Sequence, residues 1–407
     1  MIMKKYLFRS LIVLFLISIY QCGYSNISRF FKDRDQTSSN YIASVGVSGV
    51  SAMTINKDST KLFSVYKNGQ SYCLNIVKLG YSINSADIQN KCFDSTAMLG
   101  TKIVDILFGN YGKAFYIFSK NDVVAYSISP ITNEVKAKLF CDHLNSKIIQ
   151  ASKSSDSHYI FVLAKRDSSK GELNIYKINQ DGSLTESDHQ SLGYKPKHLE
   201  SRGDNIYISG ESGIYQYTLN LSGNIISSKE IIHLERGNIE DYSIHQKNST
   251  DLDVLVAIRD IDSIHNKESG ILRQYHVGVD TTREVVQKLS VEIPRNVIFY
   301  KSEDGSSELI LVVYDKFFSF LDSNYENIKT QYYNKLLNVS RYLNYAAVSY
   351  SVDDQQSWIN IFDLNTSYIV GEYHISDTSD IFSLRSRKFY AVADKDKIKI
   401  FQVARFL

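Results

Sequence analysis

The residue types that most often do bond chemistry are present in this chain but not arranged for it. Nine His are scattered along the sequence. None belongs to an H-E-x-x-H helix, and no G-x-S-x-G elbow occurs, the patterns that place a zinc-bound water or an activated serine. The four Cys, Cys22, Cys73, Cys92 and Cys141, include no C-x-x-C pair, and no H-x-x-x-H spacing accompanies them. Structural zinc takes four close ligands, so neither a metal nor another cofactor is expected. Asp260 and Asp262 fall in Arg259 to Gly270, which reads as a long loop between two strands. Calcium needs an ordered set of oxygen ligands, and two acids do not supply it. That segment reads as a solvated loop. Five N-x-S/T sequons, at Asn26, Asn220, Asn248, Asn338 and Asn365, matter only in a glycosylating host.

The elements that must position any site follow from composition and pattern. The 407 residues are 43% hydrophobic and 22% charged. These are ordinary globular proportions, which exclude a disordered chain and a multi-pass membrane protein. The length implies two or three domains or one closed repeat. Net charge is +2, and Lys4, Lys5 and Arg9 lie in the first ten residues. The nearly neutral remainder lacks the clustered cations that phosphate backbones require, so no nucleic-acid partner is expected. The short run Arg385-Ser386-Arg387-Lys388 reads as a solvated turn.

Behind the basic start, Leu11 to Tyr20 is a ten-residue apolar run broken only by Ser18. It is too short to span a bilayer, which takes about 20 residues, and the right size for a signal-peptide core. Residues 1–25 therefore read as an export signal, with Gly23 and Ser25 as the small residues before cleavage. The run also ends at Cys22-Gly23, which resembles a bacterial lipoprotein signal. In that class the Cys carries the lipid, although Tyr20 and Gln21 stand where small residues are usual. Plain secretion and a lipid anchor on Cys22 both remain open, and the anchor is the one expected membrane contact. Residues 26–40 read as a tether and 41–407 as one folded domain.

That domain repeats. Six-residue segments with an apolar first residue and usually an aromatic fourth recur every 39–58 residues: Leu74–Leu79, Val123–Ile128, Leu173–Ile178, Ile214–Leu219, Leu272–Val277, Phe317–Asp322, Ile359–Leu364 and Ile398–Val403. Their fourth residues are Val77, Tyr126, Tyr176, Tyr217, Tyr275, Phe320, Phe362 and Phe401. Before each lies a run that is mostly apolar on both faces, such as Ala114–Phe118, Tyr159–Ala164 and Leu309–Tyr314, as expected for strands packed between sheets. Periods of about 40–50 residues are those of propeller blades. The expected fold is all-β, a β-propeller of eight four-stranded blades. A seven-bladed ring with one irregular unit and an array of sandwiches are the alternatives. The last unit stops after its third strand, so residues 41–48 are expected to supply its fourth and close the ring.

Cys73 starts the third strand of the first unit, and Cys92 lies where its fourth strand should be. Adjacent strands permit a disulfide if the two side chains face each other, and an exported chain permits it to persist. Two buried thiols are the alternative, and Cys141 is left over.

One stretch, residues 171–224, resembles the lactonase-type β-propellers, the 6-phosphogluconolactonase-like group. Gly171-Glu172-Leu173-Asn174-Ile175-Tyr176 through Asp181-Gly182-Ser183-Leu184 is similar to their blade-ending strand and Asp-Gly turn. Pro196-Lys197-His198, followed by Ile206-Tyr207-Ile208-Ser209-Gly210-Glu211, is similar to their Pro-Arg-His segment and Tyr-Val-x-Asn-Glu. The resemblance covers about one blade well. It implies a lactone hydrolase with His198, Glu211 and Lys197 as candidate catalytic residues. Lys197 replaces an Arg and so lacks its planar fork. A His expected one blade earlier falls near Ile149, which transfers no proton. Lactone opening needs a base and a group that stabilises an oxyanion, and this set is depleted.

The expectation is an exported, non-catalytic propeller that binds a protein or glycan through its loop face. A lactonase-like hydrolase with a degenerate site, and a structural envelope protein held by lipid on Cys22, are the alternatives.

Overall fold

The computed structural model describes residues 41–402. Outside the described residues lie the two ends and the internal segments 57–59, 70, 81–87, 94–102, 110–112, 130–134, 248–250, 263–266, 280, 291, 303–307, 353–356, 376–381, 384–388 and 395. The signal, the tether and Cys22 are therefore outside them. The described residues form thirty-two strands in eight four-stranded antiparallel sheets. No helix occurs among them.

Each sheet is a blade whose strands follow one another from the centre of the ring to its rim. Blade 1 runs through Val50–Ile55, Lys61–Asn68, Ser71–Lys78 and Ile88–Phe93. Blades 2–7 repeat this order, and the inner strands of blades 3–7 are Lys147–Lys153, His198–Arg202, Asn238–Gln246, Asn296–Lys301 and Lys335–Tyr342. Blade 8 has only three strands from the C-terminal end: Phe382–Ser383, Phe389–Asp394 and Lys397–Gln402. Its rim strand is Tyr41–Gly46, which pairs antiparallel with Lys397–Gln402 and sets Val45 opposite Ile398. The N-terminal strand thus closes the ring. The seven-bladed and sandwich alternatives fall away.

The sequence explains the centre-to-rim order. A second strand is covered on both faces and is apolar throughout, as in Ala114–Ser119, where every residue is buried. A rim strand is solvated and polar, as in Thr282–Ser290, where no residue is fully buried. The blades pack face to face through eight apolar clusters, one at each blade boundary. The recurring third-strand residue fills these boundaries. Val77, Tyr126, Tyr176, Tyr217, Tyr275, Phe362 and Phe401 each pack against the preceding blade.

Blade 6 departs from the expected alignment by one residue. Leu321 packs toward blade 5, and Phe320 turns with Phe318 toward blade 7. A shift of one position moves a strand residue to the opposite face. Turns also lock neighbouring blades. Gly182 (φ +89°) and Gly223 (φ +82°) hold left-handed positions. A Cβ on Gly223 would sit 2.2 Å from the Tyr159 ring of blade 3, so glycine permits both the turn and the approach.

Candidate functional site

The inner strands diverge around the ring axis, and polar side chains span the gaps between them. Backbone groups left unpaired in a protein interior are costly, and these side chains satisfy them in sequence. Gln150 of blade 3 donates from Nε2 to Leu199 O (2.9 Å) and accepts from Leu199 N at Oε1 (2.8 Å). Glu200 of blade 4 accepts from Ile244 N (3.2 Å), and its partner Arg202 donates to Ile244 O (3.4 Å). Asp241 of blade 5 accepts from Val297 N (3.0 Å) and Asn296 Nδ2 (3.2 Å). Ser243 accepts from Phe299 N (3.0 Å). Arg341 of blade 7 reaches back to donate to Phe299 O (3.1 Å) and Ser243 Oγ (3.3 Å).

These residues line a central cavity of about 470 Å³, together with Ser152, His198, Ser201, Ser340 and Tyr342. Its electrostatics are unusual. Burial pulls the Arg341 guanidinium down to about 10, and nearby Arg202 adds to the effect while Glu200 opposes it. Burial raises the Asp241 carboxyl, opposed by His198 and by the hydrogen bonds it accepts. A raised folded-state carboxyl favours the fold most at acid pH, and that contribution is lost as pH rises through the folded value. Asp241→Asn keeps an oxygen to accept both bonds and cannot ionise. Its stability relative to wild type is therefore expected to improve steadily from acid to neutral pH in urea melts. A constant difference across that range would contradict this assignment.

The candidate catalytic residues are split: Lys197 feels the charge of Glu211, whereas His198 lies on the central cavity. His198 begins the inner strand of blade 4, lines the cavity and meets the Tyr242 ring edge-on at 5.4 Å. Lys197 turns away between blades 4 and 5, where Nζ donates to Ile239 O (2.5 Å) and burial lowers its pKa. Glu211 sits exposed in the turn between the second and third strands of blade 4, and pairs with Lys195 at 3.1 Å. Ile149 packs into the apolar boundary of blades 3 and 4. Cys73 and Cys92 are opposite each other on the third and fourth strands of blade 1 and are joined as a disulfide. Cys141 is exposed and free.

The described parts of the segment Arg259 to Gly270, residues 259–262 and 267–270, are strand rather than loop. The second and third strands of blade 5 are Leu252–Asp262 and Lys267–Val277, and they pair along their full length. This long hairpin also accounts for much of the 58-residue repeat spacing. Asp260 pairs with Arg236 at 2.9 Å. Among the described residues no group of three or more His, Cys, Asp or Glu is placed to hold a metal.

The hairpin rises on the face that carries the blade-to-blade connections and the turns between second and third strands. Salt bridges spread from it to the connection before blade 5 and on to blade 6. Arg259 pairs with Glu240 (2.8 Å), Glu240 with Arg295 (3.2 Å), and Arg295 with Asp315 through two bonds of 2.9 Å. The fork-like Arg295 contact holds the Asp315 carboxyl below its usual value. This charged platform and the cavity staples escaped the sequence reading, because each joins residues from different blades.

No protein-family model matches the chain, and no curated protein matches it. Among solved structures, the Dos1 propeller superposes with a TM-score of 0.58 at 10% identity, covering 90% of this chain and 95% of that one. The CNH domain of AfRom2 superposes with a TM-score of 0.46 at 10% identity, covering 90% of this chain and 99% of that one. The likeness to the Dos1 propeller shows the fold alone. No family model and no curated relative supports the lactonase-type resemblance, which stays with the sequence of residues 171–224.

Proposed function

We propose that this chain is an exported β-propeller that binds a protein or glycan partner through the connection face and carries out no bond chemistry. The observation that carries this reading is the charged platform built from the blade 5 hairpin, Arg236, Glu240, Arg259, Asp260, Arg295 and Asp315. Arg236 and Asp315 are the exposed members, while Glu240 and Asp260 are largely covered, and pairs at the exposed rim contribute little to stability, typically about 0–1 kcal/mol each. Complementary charge instead gives orientation and specificity to an interface. The placing of His198 on the central cavity, apart from Lys197 and the exposed Glu211, supports a binding role over hydrolysis. Export rests on the basic start and apolar core of residues 1–25, and the Cys73–Cys92 disulfide is a bond typical of oxidising compartments. A lipid on Cys22 would tether the same propeller to a membrane.

Proximity labelling on intact host cells tests the reading. The charge reversal Asp315→Arg, with folding preserved, is expected to abolish labelling of the partner seen with wild type. Unchanged labelling would refute the platform as the docking face. A panel of sugar and aliphatic lactones, assayed in parallel, is expected to show no turnover. Turnover lost in Glu211→Gln, with folding intact, would establish the hydrolase alternative.

A further inference from the structure

The backbone staples leave part of the central cavity unused. Two guanidiniums, Arg202 and Arg341, share the cavity with Glu200, which Arg202 already engages. Asp241 is held toward its neutral form by burial. Asp241 is already engaged by Val297 N and Asn296 Nδ2, and among the other three groups the two guanidiniums exceed the one carboxylate by a single positive charge, from the ordinary ionisation of Arg and Glu. Several donors there have no partner among the described residues. Arg202 Nε is buried without a hydrogen bond. Arg341 donates from Nε and Nη1, which leaves Nη2 free. The side chains of Ser152, Ser340 and His198 line the same cavity and make no hydrogen bond.

We propose that the central cavity binds a small polar monocarboxylate, with Arg341 and Arg202 on its carboxylate and Ser152, Ser340 and His198 around its polar body. Arg341 is partly buried and makes no ion pair of its own among the described residues, and a carboxylate brought against it offsets the desolvation of its charge. The planar fork of arginine matches a planar carboxylate through two parallel bonds. Charge selects a monoanion, since a dianion would be repelled by Glu200 after neutralising the single excess charge. The volume, about 470 Å³, is in the usual range for small-molecule sites of about 300–1,000 Å³. This site is separate from the connection face and does not depend on the partner proposed there.

Isothermal titration of the chain beginning at residue 41 provides the test, with glucuronate as the monocarboxylate probe, glucose as its uncharged counterpart and inorganic phosphate as the multivalent one. Glucuronate is expected to bind, glucose not to bind, and phosphate to bind at least about tenfold more weakly, the factor that follows from losing one good charge-assisted contact. Arg341→Lys keeps the charge but loses the fork, and is expected to weaken glucuronate about tenfold. Ser152→Val narrows the cavity from blade 3 without touching the Arg341 hydrogen bonds, and is expected to weaken it as well. That second variant decides the matter if Arg341→Lys fails to fold. Asp315→Arg should bind glucuronate as wild type does, which separates this site from the connection face. The proposal is overturned by no glucuronate binding, by equal binding of glucose or phosphate, or by wild-type binding in the folded variants of Arg341 and Ser152.

Discussion

A chain that begins at residue 49 is expected to aggregate under conditions where one that begins at residue 41 stays soluble and folded. The strand Tyr41–Gly46 completes blade 8 by pairing with Lys397–Gln402. Its Val45, and Val47 just beyond it, are buried with Met53, Ile55 and Leu62 of blade 1 and Ile398 and Ile400 of blade 8. Burying a Val side chain is worth roughly 1.5–3 kcal/mol, so the two together contribute about 3–6 kcal/mol before any backbone pairing is counted. Whole-domain stability is typically about 5–15 kcal/mol. Removing the strand also uncovers the edge of Lys397–Gln402, a template for pairing between molecules. Size-exclusion chromatography and thermal melts of the two chains decide the issue. Equal solubility and equal melting temperatures would mean that the ring does not depend on this closure. Val45→Asp in the longer chain should reproduce much of the loss, because it places a charge in an apolar blade boundary.

The closure is legible in the sequence because strand number is a counting problem. Eight third strands, each preceded by a doubly apolar run, leave the eighth unit one strand short, and Tyr41 to Ser48 is the remaining stretch of strand character. The phase of a strand is legible only where its two faces differ. Phe317-Phe318-Ser319-Phe320-Leu321 is apolar at four of five positions. Both faces are covered in the ring, so alternation does not say which aromatic faces blade 5. Packing decides it: Phe317 stacks on Tyr314 at 4.3 Å, and Phe318 and Phe320 join Phe362 in the next boundary. The blade 5 hairpin is hidden for the opposite reason. Arg259, Asp260, Lys267 and Glu268 have the composition of a loop, and the salt bridges of Asp260 to Arg236 and of Arg259 to Glu240 support the end of the second strand.

The site is less legible than the fold. Sequence resemblance draws attention to residues 171–224, a contiguous stretch, whereas the cavity takes its polar groups from five blades. Glu200 and Ile244, or Ser243 and Arg341, meet only because the ring brings successive inner strands around one axis. A weak signal does exist. Gln150, Glu200, Ser243 and Arg341 are polar residues in the short segment just before an apolar second strand. In a propeller that segment is the inner strand, so recurring polar residues there mark the channel. Motif search alone misses them because no two adjacent members are close in sequence.

Reducing the Cys73–Cys92 bond is expected to cost about 3 kcal/mol of unfolding free energy. The two residues are 19 apart in sequence, and closing a loop of that size in the unfolded chain removes entropy worth roughly that amount. The bond joins a buried Cys73 in the third strand to Cys92 on the solvated rim strand Ile88–Phe93. The rim strand has fewer apolar contacts than the strands inside it, so its amides should lose protection from hydrogen exchange first after reduction. Cys141 supplies an internal control: it is exposed and free, so the oxidised chain beginning at residue 41 should alkylate once and the reduced, unfolded chain three times. Urea melts of the oxidised chain and of the Cys73→Ala, Cys92→Ala double variant measure the cost without a reductant. Superimposable melts would mean that the bridge adds nothing to stability, and would remove the physical link between this blade and an oxidising compartment. A loss near the expected size would make folding of blade 1 depend on oxidation, which is what export to such a compartment supplies.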